Sequence, residues 1–166
     1  MAKIAHKDLS RIRGKHKNEK MVFCSGGFDL THAGHVLFFE DCKNLGDVLV
    51  VMVGGDKVMK HGRGDARPIL NEQMRMKMVD SLKPVDYTII DELVPVDQHP
   101  LQAIDNALEE LRPDIYVINE DASDIPYREI VSKKHGTKLV ILKRVAPPEF
   151  EKVSTTKIIE KIKGLN

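Results

Sequence analysis

Along the chain, short apolar runs alternate with segments whose apolar residues recur every three or four positions. Residues 21–24 form a β-rich run ending in Ser-Gly-Gly, and 48–53 (VLVVMV), 87–90, 115–118 (IYVI) and 138–142 supply four more. Runs this apolar suit strands of a parallel sheet covered on both faces. Between them the spacing predicts helices. Val36, Phe39 and Cys42 mark one over 33–45, closed by Gly46. Pro68 opens a second, with Met74, Met78 and Leu82 on one face and Pro84 after its end. Leu101, Ile104, Leu108 and Leu111 mark a third. The last runs over about 155–165, with Ser154 as its cap and Ile158, Ile159 and Ile162 on its buried side. This alternation predicts an α/β fold, a Rossmann-like three-layer sandwich of about five parallel strands.

Composition adds bounds. A chain of 166 residues can bury one sizeable core and is short for two, so residues 21–166 read as a single domain. Residues 1–20 stand apart as a basic N-terminal arm, with Lys3, Lys7, Arg11, Arg13, Lys15, Lys17 and Lys20 against Asp8 and Glu19. Such an arm could touch RNA; the preferred reading is a short helix that packs Ile4, Leu9 and Ile12 on the domain and keeps its charges in water. With 26 Lys and Arg against 25 Asp and Glu, nothing global argues for a nucleic-acid or membrane-surface partner. Cys24 and Cys42 have neither a zinc-ligand spacing nor the look of a disulfide framework, and fit free thiols in a reducing compartment. No apolar run approaches the roughly 20 residues of a membrane span, and the N-terminus lacks the apolar core of a secretory signal, so a cytoplasmic protein is expected.

The chemistry concentrates in CSGGFDLTHAGHVLFFE, residues 24–40, where the first strand hands over to a helix. In a doubly wound sheet the ligand site lies outside the carboxyl ends of the strands, which is where this loop falls. Gly26 and Gly27 permit close backbone approach, and a helix N-terminus offers unsatisfied N–H groups to an anion. His32 and His35 are one turn apart on a shared helix face, and Gly34 removes a side chain that would crowd them. As a zinc pair they lack a third ligand; as phosphate donors they suffice.

These residues carry a family resemblance. GGFDLTHAGH resembles the GxFDxxHxGH signature of the cytidylyltransferase-like nucleotidyltransferases. Ser154-Thr155-Thr156 in VSTTKII resembles their second signature, and RGDARPILNEQMR their loop and helix with an Arg-Pro pair, here Arg67 and Pro68, and a further Arg, Arg75. The likeness spans about residues 20–163. It implies transfer of a nucleoside monophosphate from a triphosphate to a phosphorylated small molecule, with release of pyrophosphate. It also implies catalytic roles: His32 and His35 on the α- and β-phosphates, Lys60 with Arg63 as its rival reaching in from a mobile loop over 56–67, and Arg75 on the leaving phosphates. The nucleotide-binding set it implies is Ser25, Gly26, Gly27, Phe28, Asp29, Arg63, Arg67, Asn119, Asp121, Ser154, Thr155 and Thr156. Mg²⁺ is the implied cofactor, with Asp29 either a metal ligand or a brace of the loop, and a homodimer is the implied assembly.

Substrates are less defined. The HAGHV helix and GDARPI loop most resemble heptose-1-phosphate adenylyltransferases, and LKPVDY resembles archaeal FAD synthases, which favours ATP. Glycerol-3-phosphate and phosphoethanolamine cytidylyltransferases share the same core and use CTP. The segments INEDASD (118–124) and KRVAPPEFEKVSTT (143–156) depart from all of these where base and acceptor are read. A sugar or polyol phosphate, a phosphorylated amino compound and a phosphonate therefore stand as acceptors. A nucleotide-binding sensor without turnover is the alternative of another class.

Overall fold

The computed structural model describes residues 8–91, 99–151 and 153–165. Five strands, β1 (Met21–Gly26), β2 (Val48–Gly54), β3 (Tyr87–Asp91), β4 (Ile115–Asn119) and β5 (Lys138–Leu142), form one parallel sheet in the order β3-β2-β1-β4-β5. Every residue of β2 is buried, as expected of a strand covered on both faces. Because β2 and β3 lie on one side of β1 and β4 and β5 on the other, the order reverses at β1. That reversal opens a crevice at the carboxyl ends of β1 and β4.

Seven helices accompany the sheet among the described residues: α1 (Leu9–Lys15), α2 (Ala33–Lys43), α3 (Asp56–Arg63), α4 (Glu72–Asp80), α5 (Gln102–Leu111), α6 (Ile125–Lys134) and α7 (Thr155–Lys163). One core joins α1, α5 and α6 to the sheet through Leu9, Ile12, Phe23, Met52, Leu108, Tyr116 and Val131. The other joins α2 and α4 to the opposite face through Val22, Cys24, Phe39, Cys42, Val51 and Val79. Leu9 and Ile12 therefore belong to the same core as the strands, so the basic segment is anchored to the domain from α1 onward; Ile4 lies outside the described residues.

Several expectations need correction. The second predicted helix starts at Glu72, capped by the Asn71 side chain, which accepts from the Met74 N–H. It buries Arg75 and Val79, leaving Met74 50% and Met78 47% exposed. The pattern Met-Arg-Met-Lys-Met offers two faces of similar hydropathy, and burial went to the one whose arginine has partners. Ile162 on α7 is also exposed. The expected mobile loop over 56–67 is largely helix α3, closed by Gly64 at φ 83°, a conformation costly for any residue with a Cβ. Three histidines outside the motif loop are engaged: His135 bonds Asp105 at 2.5 Å, His16 bonds Tyr87 at 2.7 Å, and His99 stacks on Tyr127. Cys24 and Cys42 are buried free thiols, and burial raises the Cys24 pKa well above its ordinary value, so the thiol stays protonated and unreactive.

Candidate active site

β1 ends at Gly26 and the chain crosses the carboxyl edge of the sheet before α2 begins. Phe28 and Leu30 take left-handed conformations, φ 48° and 46°, on either side of Asp29. What holds this strained turn is Asp29 itself, 3% exposed. Its carboxylate accepts from the N–H groups of Leu30 (3.1 Å), Ile69 (2.8 Å) and Leu70 (3.0 Å), and Arg67 stands 3.7 Å away. Its carbonyl accepts from the Thr155 hydroxyl at 2.8 Å, which ties the start of α7 to the loop. With both oxygens occupied, Asp29 is a brace. As a metal ligand it does not fit, and the described residues contain no group of three or more His, Cys, Asp or Glu that could hold a metal ion.

The glycines serve packing. A Cβ on Gly26 would lie 2.8 Å from the Phe28 ring, and one on Gly27 2.5 Å from the Met59 methyl. Phe28 meets His35 edge-on with centroids 5.4 Å apart. His32 caps α2 with extended backbone, and its ring stacks on that of His35 at 3.9 Å and 20°. Gly34 makes this stack available, since a Cβ there would sit 3.1 Å from two atoms of the His32 ring. Burial and then the nearby Arg144 charge lower the His32 pKa below 6.5, and its buried Nδ1 has no hydrogen-bond partner. The imidazole is thus neutral at physiological pH and poised to gain a proton when an anion arrives.

The histidines open onto a cavity of about 290 Å³, whose lining includes His32, His35, Asn119, Arg144, Ser154 and Lys157. The Ser154 hydroxyl accepts from the Lys157 N–H at 3.2 Å and caps α7. Two helix N-termini, α2 and α7, and a cluster of cations therefore face one hollow, an arrangement suited to a polyanion. The walls also carry Phe38, Val145 and Phe150, apolar surface for a planar group.

Of the residues expected in the site, His32, His35, Asn119 and Ser154 line this cavity. Thr155 and Arg67 are engaged with Asp29 in the loop before α2 and do not line the cavity. Thr156 is exposed, and Asp121 pairs with Arg144 at 2.9 Å. Ser25 lies elsewhere, bonded to the Tyr116 hydroxyl at 3.1 Å on the other face of the sheet. Lys60 is exposed on α3, away from the cavity lining, and the Arg63 side chain lies outside the described residues.

Arg75 corrects the expectation most. It is 0% exposed, and it donates to the carbonyls of Leu70 (2.9 Å), Gly27 (2.7 Å) and Gly54 (2.6 Å) and to Asp56 (2.8 Å). A guanidinium spent on the backbone is no ligand for leaving phosphates. The cations that do line the cavity, Lys143, Arg144 and Lys157, went unnamed from sequence. Two of them directly follow the fifth strand, and that place at the carboxyl edge was the signal.

The cytidylyltransferase-like family model matches residues 23–161. The chain is 35% identical over 150 residues to the bifunctional protein HldE of Helicobacter pylori strain G27, covering 90% of this chain and 29% of that protein. It is also 35% identical over 144 residues to the FAD synthase of Ferroglobus placidus, covering 86% of this chain and 88% of that one. Among solved structures, the lipopolysaccharide core biosynthesis protein of Thermoplasma volcanium aligns with a TM-score of 0.60 at 27% identity, covering 78% of this chain and 98% of that one. A pantoate-beta-alanine ligase of Francisella tularensis, TM-score 0.64 at 17% identity with 98% and 77% covered, shares the fold. With the histidine loop and the Ser154 helix meeting at one cavity and the family model covering nearly the whole length, the chain belongs to the cytidylyltransferase-like family of nucleotidyltransferases.

Proposed function

We propose that this protein transfers a nucleoside monophosphate, adenylyl in preference to cytidylyl, to a phosphorylated small molecule of the sugar or polyol phosphate class. The observation that carries the reading is the stacked His32–His35 pair at the start of α2, facing across one cavity the capped start of α7 and the cations Arg144 and Lys157. A phosphate oxygen of the acceptor attacks the α-phosphorus, its bond to the bridging oxygen breaks in line, and pyrophosphate leaves with that oxygen. No covalent enzyme intermediate is needed. The protein's part is to position the triphosphate and neutralise charge as it moves from the α-phosphate to the leaving group. His32 is the proton acceptor on binding, and His32 and His35 then donate to the α- and β-phosphate oxygens. Ser154 and the N–H groups of α7 face the same phosphates. The preference for adenylyl rests on the HldE and FAD synthase relatives. Mg²⁺ enters this proposal only as a companion of the triphosphate, because the described residues build no cage for it.

The test is pyrophosphate release with ATP and CTP against a panel of sugar, polyol and amino-alcohol phosphates and phosphonates. Release with ATP and a sugar or polyol phosphate, and none without acceptor, is the expected result. Tight triphosphate binding with no product from any pair would replace the enzyme by a nucleotide sensor.

A further inference from the structure

The loops that leave β4 and β5 run side by side at the carboxyl edge of the sheet, since Asn119 and Leu142, the last residues of the two strands, are partners in register. The β4 loop is acidic and its backbone is held at both ends. Glu120 donates its N–H to the Leu142 carbonyl at 3.0 Å, Ala122 donates to the Asn119 carbonyl at 3.0 Å, and Asp124 caps α6 by accepting from the Tyr127 N–H at 3.2 Å. The β5 loop is pinned to it. The Arg144 N–H donates to the Glu120 carboxylate at 3.3 Å, and the Arg144 guanidinium pairs with Asp121 at 2.9 Å. The two acidic side chains thus do different things: Glu120 fixes the Arg144 backbone, and Asp121 holds only its charged head. Arg144 lines the histidine cavity and Asp121 does not. After burial, the Arg144 charge is what lowers the His32 pKa, so the guanidinium is already within electrostatic reach of the histidines.

A guanidinium on a fixed backbone, shared between a rim carboxylate and a cavity, has two places to go. The pair is half in water, with Arg144 51% and Asp121 57% exposed, and an ion pair so placed holds weakly; Asp121 rehydrates at little cost when released. Phosphate oxygens inside the cavity offer the guanidinium fork paired acceptors, beside apolar walls that screen the attraction less than water does. We propose that Asp121 is a latch on Arg144: a polyphosphate entering the cavity draws Arg144 off Asp121, and Asp121 takes it back as pyrophosphate departs. This deepens the nucleotidyl-transfer reading, on which it rests. Its use is in release. Lys143, Arg144 and Lys157 together with two helix N-termini would hold pyrophosphate well after the reaction, and departure of product sets the turnover of many enzymes. A carboxylate that competes for one of these cations lowers the affinity for every polyphosphate and shortens the stay of the last one. An exposed pair at the stronger end of its range holds Arg144 about four-fifths of the time, which weakens polyphosphate binding about fivefold.

Isothermal titration of the full chain with pyrophosphate and with α,β-methylene ATP, at fixed ionic strength, tests this on wild type, Asp121→Asn, Arg144→Gln and the double variant. Asp121→Asn should bind both probes about three- to fivefold more tightly, and a stopped-flow chase should show pyrophosphate leaving it correspondingly more slowly. Arg144→Gln alone should weaken both probes. In the Arg144→Gln background the Asp121 substitution should change affinity by less than about 1.5-fold, because nothing is left to latch. All three variants replace exposed side chains and should melt within about 2 °C of wild type. Weaker binding by Asp121→Asn would make Asp121 a positioning residue for Arg144, unchanged binding would make the pair inert, and equal tightening with and without Arg144 would reduce Asp121 to plain repulsion of anions; each of these results overturns the latch. A wild type that binds both probes but yields no product from any acceptor counts against nucleotidyl transfer alone, since the binding ratios still decide the latch.

Discussion

Arg75→Met separates a buried brace from a phosphate ligand. The substitution keeps an apolar stem and leaves the carbonyls of Gly27, Gly54 and Leu70 without their donor. A buried polar group deprived of its partner costs about 1–3 kcal/mol. Asp56 is a third exposed and rehydrates, so it adds little. Admitting water takes back part of the loss, which leaves a net cost of about 4 kcal/mol, a large share of the roughly 5–15 kcal/mol that holds a domain folded. For a domain of this size that is a fall in Tm of about 8–16 °C. Thermal and urea denaturation should show it. In the fraction still folded at low temperature, triphosphate affinity should drop no more than about fivefold, because Arg75 does not line the cavity. A variant that melts within about 2 °C of wild type yet loses more than about 100-fold in activity would refute the reasoning and return Arg75 to the leaving phosphates.

Gly34→Ala should lower kcat by about 10- to 100-fold by pushing the His32 ring off its stack, while raising Tm slightly because alanine favours a helix; steady-state kinetics beside a melt reads both. The lowered His32 pKa means that triphosphate binding at about pH 7 should take up a proton, seen as a dependence of the binding heat on buffer ionisation and absent in His32→Asn. The same depressed pKa makes the His32 contribution to stability complete above about pH 6.5, the unfolded value, and lost as pH falls through the folded one. Asp105 is partly desolvated, but hydrogen bonds from His135, Lys134 and Gln102 outweigh this and lower its pKa below 3.8. Its stabilisation is present above that unfolded value and lost as pH falls through the folded one, so Asp105→Asn should lower the urea midpoint at neutral pH and converge with wild type in acid.

All five strands, and the loop that carries the chemistry, were legible because each is written in near neighbours. A run apolar at every position, such as Val48–Gly54, has no solvent face and can only be a central strand. The one-turn spacing of His32 and His35 with Gly34 between them is a property of any helix that starts there, and the stack follows. The two equal faces of α4 were not decidable this way, and neither was α3, whose single buried anchor, Met59, finds its place over glycines in two other strands and loops.

By itself, then, the sequence determined the sheet, the phosphate-facing loop and the family, since periodicity and short motifs act within one element. Only the tertiary structure decided what each charge does. Arg75 became a brace because three carbonyls from separate segments converge on it, and Arg144 entered the cavity because β5 ends beside it. Asp91 kept a buried oxygen with no hydrogen-bond partner because packing at the end of β3 delivers no donor to it. The fate of a buried polar group is set by the partners that packing delivers, and those come from residues far apart in the chain.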